Sequence, residues 1–304
     1  MLYPDFRELI GMGSKPNRLE LASKRPTLSA ASGNYASSFR GQGLTFHEVR
    51  EYRPGDDIRN IDWRVTARMN KPHMKVFTED RERTVMLCID GNAAMRFGTR
   101  KTFKSIQAAR AAALIGRLAN GSHDRVGCVL FGDVPEGLQF FRPARSRRAL
   151  WQALKMLSRP KTGDHKETVL LETALQRLNN IAPNGSLIFI ISDFYPITES
   201  LEKTLSNLGQ RADIVLVRID DPADGLIPPI GSVLFSDENG QAAAIDTDNR
   251  AGQEAYAKQW QTIRTRLENI CARCGLNILS LNTNSDLHDC LVPALRRLAH
   301  ARRR

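Results

Sequence analysis

The chain lacks any apolar run approaching the roughly 20 residues that a membrane-spanning helix needs, although 41% of its 304 residues are hydrophobic. Its opening, MLYPDFRELIGMG, carries acids and has neither the basic n-region nor the apolar h-region of a secretory signal. These absences lead to the expectation of a cytoplasmic protein with no membrane span. Cysteine is scarce and odd in number, five in all, which argues against a disulfide framework. Cys88 and Cys128 sit inside apolar, strand-like runs and are expected to be reduced, packed thiols. The C-x-x-C of residues 271–274 has the spacing of half a zinc site, but no second pair and no histidine pair lies near it, and Cys274 falls on an apolar helical stripe. No G-x-x-x-x-G-K-[ST] loop occurs, and GMGSKPN near the start runs into Pro16 without a preceding strand. No Ser, Cys or His stands with a base at nucleophile spacing, and His47 and His73 are isolated. P-loop nucleotide hydrolysis and nucleophilic catalysis are thereby disfavoured, and no catalytic residue is assigned.

Positive charge is what the chain has in excess. The formal charge is +11 and the pI about 9.7, with much of the surplus in RPARSRR (142–148) and in the tail LRRLAHARRR (295–304). A basic helix end is ordinarily a solvated one. No RRM, zinc-finger or helix-turn-helix pattern accompanies it, and Leu150, Leu154 and Trp151 near the first basic run read as packing residues. No nucleic-acid partner is expected; a basic nucleic-acid binder stands as an alternative, recognisable by steep loss of affinity with salt.

From residue 84 onward short apolar runs alternate with helical periods, the pattern of a sheet with crossover helices on both faces. The strand candidates are TVMLCID, RVGCVLF, SLIFIISD, DIVLVRID and LNILSL, whose near-continuous hydrophobicity marks parallel strands buried on both faces. SRRALWQALKML places Leu150, Ala153, Leu154 and Leu157 on one helical face with Ser146 as a candidate N-cap. GQEAYAKQWQTIRTRLENICARC repeats the device with Tyr256, Trp260, Ile263, Leu267, Ile270 and Cys274. Asn239-Gly240 suggests a hairpin in GSVLFSDENGQAAAID, expected at an antiparallel sheet edge. Residues 1–83, rich in Gly, Ser, Arg and Asp, read as a loop- and β-rich N-terminal section preceding an α/β domain over 84–304.

In an open parallel sheet, ligands bind outside the carboxyl ends of the strands, where strand order reverses. Asp90 ends the first strand and Asp193 ends SLIFIIS, so both acids are expected on one rim. A phosphoaspartate enzyme would need a second acid two residues after Asp90, where Asn92 stands instead. The stretch resembles a von Willebrand factor A-type domain, whose D-x-S-x-S, a later Thr and a further Asp hold Mg²⁺ or Mn²⁺ and leave a position for a partner's carboxylate. By that resemblance the metal-site positions are Asp90, Asn92, Ala94, Thr168 and Asp193. Both serines are replaced, and Ala94 offers no oxygen, so the resemblance implies a degenerate site with weak Mg²⁺ or Mn²⁺ binding and no firm cofactor. Asp90 alternatively satisfies backbone amides of the turn that follows it.

Upstream, GQGLTFHEVREYRPGDDIRNIDWRVTARMNKPHMKVFTEDRER (41–83) is the most specific stretch of the chain. Pro54-Gly55 suggests a turn, Asp56 or Asp57 a cap for the helical turn after it, and Ile61 and Trp63 an apolar anchor. Arg50, Arg53, Arg59, Arg64 and Arg68 interleave with Asp56, Asp57 and Asp62, which suits bidentate Arg–carboxylate pairing and an internal clamp between the N-terminal section and the sheet. The G-x-G followed by R-x-Y-x-P-G-D-D-x-R-x-I-D-W resembles the bacterial domain-of-unknown-function family 58, in which a β-rich section precedes a von Willebrand factor A-like domain. That resemblance implies a non-catalytic interaction protein, an adaptor or partner of a MoxR-type AAA+ ATPase acting on a client protein through the Asp90/Asp193 rim. A metal-dependent hydrolase built on the same two acids is the remaining alternative.

Overall fold

A computed structural model describes residues 3–12, 44–53, 58–79, 83–159, 169–236 and 242–301. The chain divides into two units, Ser29–Glu82 and the remainder, which joins Met1–Leu28 to Arg83–Arg304. Helix α1 (Phe6–Gly11) opens the chain, capped by the Asp5 carboxylate on the Arg7 amide. Expected as part of a section over residues 1–83, this helix packs instead with the larger unit, burying Leu9 completely.

The smaller unit is an antiparallel pair, β1 (Leu44–Glu51) with β2 (His73–Glu79), carrying a bulge between Phe46 and Glu48. Between the strands lie a 3₁₀ turn (Ile58–Asn60) and helix α2 (Trp63–Met69). Asp62 caps α2 by accepting the Arg64 and Val65 amides at 3.1 and 3.3 Å. Trp63 is not the apolar anchor expected of it: it opens α2 at 70% exposure, and no residue of that helix is buried.

The larger unit follows from the five expected strands. β3 (Thr84–Gly91) leads through helix α3 (Lys104–Gly121) to β4 (Arg125–Gly132), β5 (Leu138–Ala144) and helix α4 (Arg148–Leu157). Then come α5 (Leu171–Ile181), β6 (Leu187–Ser192), α6 (Leu201–Gly209), β7 (Asp213–Asp220) and the single turn α7 (Pro222–Gly225). The pair β8 (Ser232–Ser236) and β9 (Ala242–Asp246), helix α8 (Arg250–Cys274), β10 (Asn277–Asn282) and α9 (Leu287–Ala301) complete it. Six strands form one sheet in the order β10-β7-β6-β3-β4-β5, parallel except for β5, which runs antiparallel to β4.

β3 explains the architecture by itself. All eight of its residues are buried; Val85, Leu87 and Ile89 enter one core with α1, α3, α4 and α9, while Met86 and Cys88 enter the other with α5, α6 and α8. A strand covered on both faces needs no polar alternation. This is the expected doubly wound α/β class. Three local expectations differ. β8 and β9 pair only with each other, not with the large sheet. Arg147, not Ser146, occupies the cap position of α4, without a side-chain cap bond, and Trp151 on that helix is 39% exposed. On α8, Cys274 packs on the core as the stripe predicts, partly buried beside the buried Cys271.

Candidate functional site

Strand order reverses between β3 and β6: the chain leaves β3 toward β4 on one side and returns to β6 on the other. The crevice this creates lies at the carboxyl ends of those two strands, and Asp90 and Asp193 both stand there. Parallel register aligns Ile89 with Ile191, so the two strand ends finish side by side.

Asp90 is buried and fully committed to its own surroundings. Its Oδ1 accepts the Asn92 backbone amide and the Asn92 Nδ2, both at 2.9 Å, and its Oδ2 accepts the Ser192 hydroxyl at 2.6 Å. Ser192 Oγ in turn accepts the Phe194 amide at 3.0 Å. Burial, then the nearby Asp193 charge, push the Asp90 carboxyl up to about 7 against the pull of the Ser192 and Asn92 hydrogen bonds. Asn92 also donates to the Val169 carbonyl at 3.3 Å, and its Oδ1 is buried without a hydrogen-bond partner. Gly132, at the end of β4 with φ of +100°, makes room for it: a Cβ there would lie 2.5 Å from the Asn92 nitrogen.

Asp193 belongs to a second network. Its Oδ1 accepts the Tyr195 amide at 3.1 Å, and its Oδ2 faces the Lys104 ammonium at 3.2 Å. Lys104, 5% exposed at the start of α3, is held equally by Asp224 at 2.8 Å and lies 5.6 Å from the centre of the Phe97 ring. Burial opposes its charge, yet the Asp193 and Asp224 carboxylates outweigh burial and hold its pKa above the ordinary lysine value. Asp224 also accepts the Asp221 amide at 2.7 Å, completing a capping box at α7. Asp221 is buried as well, but hydroxyl bonds from Thr99 and Thr283, each 2.5 Å, and amide bonds keep it below the usual carboxylate range.

These donors do not suit a hard divalent ion, which needs about six oxygens in near-octahedral array. The Asp193 carboxylate already faces a lysine, Ala94 has no donor, and Asp90 resists ionisation; Asn92 Oδ1 is one unpartnered, neutral oxygen. Thr168 lies outside the described residues, as do Pro54, Gly55, Asp56 and Asp57 of the expected clamp. Of its other members, Asp62 is the α2 cap, while Arg53, Arg59 and Arg68 are exposed, neither Arg53 nor Arg59 being without a partner. No group of three or more His, Cys, Asp or Glu is placed to hold a metal among the described residues.

Four site residues escaped the sequence reading: Lys104, Ser192, Asp221 and Asp224. Asp221 was discoverable by the rule that found Asp193, since it directly follows β7. A lysine opening a helix was the signal for Lys104, because the helix dipole disfavours a cation there unless acids hold it. Beside this network a cleft of about 250 Å³ opens, its walls including Lys104, Asp193, Tyr195, Asp224, Tyr256 and Trp260.

A doubly wound α/β domain with a rim of acids at its switch point is the class that these features define. The chain belongs to the family described as "Protein of unknown function DUF58", matched over residues 48–266. Uncharacterized proteins of Mycobacterium bovis and Mycobacterium tuberculosis are 30% identical to it over 275 residues, 88% of this chain and 84% of each relative. Among solved structures, the conserved hypothetical protein BatB from Bacteroides thetaiotaomicron aligns at 13% identity and TM-score 0.46, covering 73% of this chain and 98% of that one. A von Willebrand factor type A structure from Catenulispora acidiphila aligns at 12% identity and TM-score 0.42, covering 74% and 43%. Among the described residues no helix is long and apolar enough to cross a membrane.

Proposed function

We propose that the chain is a non-catalytic protein-interaction module whose carboxyl-edge rim docks a partner protein. The observation that carries this reading is the commitment of every rim acid to an internal partner, next to an open cleft. Asp90 is bound by Asn92 and Ser192, Asp193 and Asp224 by Lys104, and Asp221 by two threonines. Each is held by a hydrogen bond or an ion pair within the chain, whereas Tyr195, 59% exposed, and Tyr256, 37% exposed, offer contact surface. Aromatic side chains of this kind are the ones that anchor protein interfaces.

Family resemblance makes a MoxR-type AAA+ ATPase the first partner to try, with the module acting as its adaptor toward a client in chaperone-like maturation. Metal is not required by this reading, because Lys104 neutralises Asp193 in its place. The test is co-purification of the tagged chain with such an ATPase from the same genome in Mg·ATP. Tyr195→Ala should reduce capture, while Arg125→Ala, at the amino end of β4, should leave it intact. Equal capture by both variants, or none by the wild type, would sink the proposal. Turnover of a phosphoester in Mg²⁺, abolished by Asp90→Asn, would instead support the metal-dependent hydrolase.

A further inference from the structure

The apolar stripe of α8 outlasts the core. Leu267, Ile270 and Cys271 are buried beneath it, whereas Tyr256, Trp260 and Ile263, earlier on the same helix, line the cleft beside Lys104. Tyr195, just past the end of β6, adds a third aromatic ring to those walls. The polar part of the cleft consists of Asp193, Asp224 and Lys104, with Gln259 beside them.

Charge decides what such a cleft accepts. Lys104 balances one of its two carboxylate neighbours, leaving one negative charge over, and Asp221 adds another next to Asp224. The ammonium is already engaged by both carboxylates: its side chain is 6% exposed, against 7% for Asp193 and 12% for Asp224, so Asp224 is the most open of the three charges. An incoming acid would therefore meet acids first. A cation meets the opposite, carboxylate oxygens for its N–H groups and ring faces for its charge. The field is felt at the rim itself, where burial and then the Asp224 carboxylate raise the Tyr256 hydroxyl pKa, only partly offset by Lys104. At about 250 Å³ the space suits one long side chain, being smaller than a typical small-molecule pocket.

We propose that this cleft receives a basic side chain, an arginine by preference, from the protein that docks on the rim. Arginine suits it because a planar guanidinium both stacks on aromatic rings and forks onto carboxylates. Sites of the von Willebrand factor A type take a partner's carboxylate through a bound metal ion. Here the cation is part of the chain and is outnumbered by acids, so the sign of the ligand is reversed. The inference rests on the docking reading above and specifies the chemistry of the docked residue.

The full chain contains three tryptophans, so the indole N–H signal of Trp260 can be assigned by NMR with Trp260→Phe. Titration with Nα-acetyl-arginine amide should shift that signal saturably in the millimolar range, and Nα-acetyl-glutamate amide should not. Tyr195→Leu should weaken the arginine response about three- to tenfold, the scale of one cation–π contact, and Asp224→Asn should weaken it further. Because Asp224 also supports Lys104, the exposed Tyr195 variant keeps the test meaningful if Asp224→Asn does not fold. A response to the glutamate probe alone, to neither probe, or to arginine but unchanged in Tyr195→Leu would overturn the proposal. If the arginine probe is silent while Tyr195→Ala still abolishes ATPase capture, the docking reading survives and the basic ligand falls. If the probe seats and no ATPase is captured, the reverse holds.

Discussion

Asp90 shows how much a single buried carboxyl couples to pH. Its ordinary pKa of 3.8 is pushed up to about 7 in the folded chain. Below about pH 4 it is protonated in folded and unfolded chains alike; between about 4 and 7 the unfolded chain has released a proton that the folded chain retains. Stability is therefore lost as pH rises through that window and levels off above it. Asp124, pushed up to about 6 chiefly by burial, contributes in the same direction, so the difference between wild type and Asp90→Asn isolates Asp90. The variant should gain on the wild type by roughly 2–4 kcal/mol between pH 4 and pH 8, read from urea denaturation across that range. A constant difference would mean that Asp90 is ionised throughout. Lys104 is the counterpart among the bases: buried and doubly paired, it is held above the ordinary lysine pKa by Asp193 and Asp224. Its residue type was visible from the start; its proximity to Asp193, 89 residues further along, and to Asp224 was not.

At the scale of elements, the strands were legible because a buried parallel strand has a signature no helix shares, a short unbroken apolar run bounded by polar turns. β5 was the exception. Its sequence, LQFFRPA, mixes an arginine and a proline with its aromatics, and edge strands tolerate both because one side makes no ladder bonds. The loop ends that build the site depend on one glycine in particular. Gly132 adopts φ of +100°, and an added Cβ would lie 2.5 Å from the Asn92 nitrogen and 2.6 Å from its Oδ1. Gly132→Ala should cost about 1–3 kcal/mol from the positive φ alone and displace Asn92 from Asp90. The amide of Asn92, which donates to Asp90 at 2.9 Å, should then lose hydrogen-exchange protection. Protection equal to wild type would show that the β4 end is not what holds Asn92.

Over the whole molecule, the two cores explain why the N-terminal helix belongs to the α/β unit. Leu9 is fully buried in the core that α3, α4 and α9 share. Around it, Arg110 pairs with Glu8 at 2.7 Å and Arg117 donates to the Ile10 carbonyl. Leu9→Ala should destabilise the larger unit by about 2–5 kcal/mol, as other buried leucines do, seen as a lower midpoint in tryptophan-monitored denaturation. A change within error would place that helix outside the cooperative unit. The net charge of +11 coexists with a site whose own balance is negative, so global charge is a poor guide to what the rim binds.

The sequence by itself determined the fold class, the five parallel strands and the two acids at strand ends; four of those strands are buried as expected, whereas β10 lies at the sheet edge with only Leu281 buried. Apolar continuity and strand-end position are local properties, written in consecutive residues. The fate of those acids was decided by tertiary structure. Whether Asp193 faces a metal or a lysine depends on where the first turn of α3 meets the ends of β6 and β7. That meeting is set by packing across two cores, and no spacing along the chain records it.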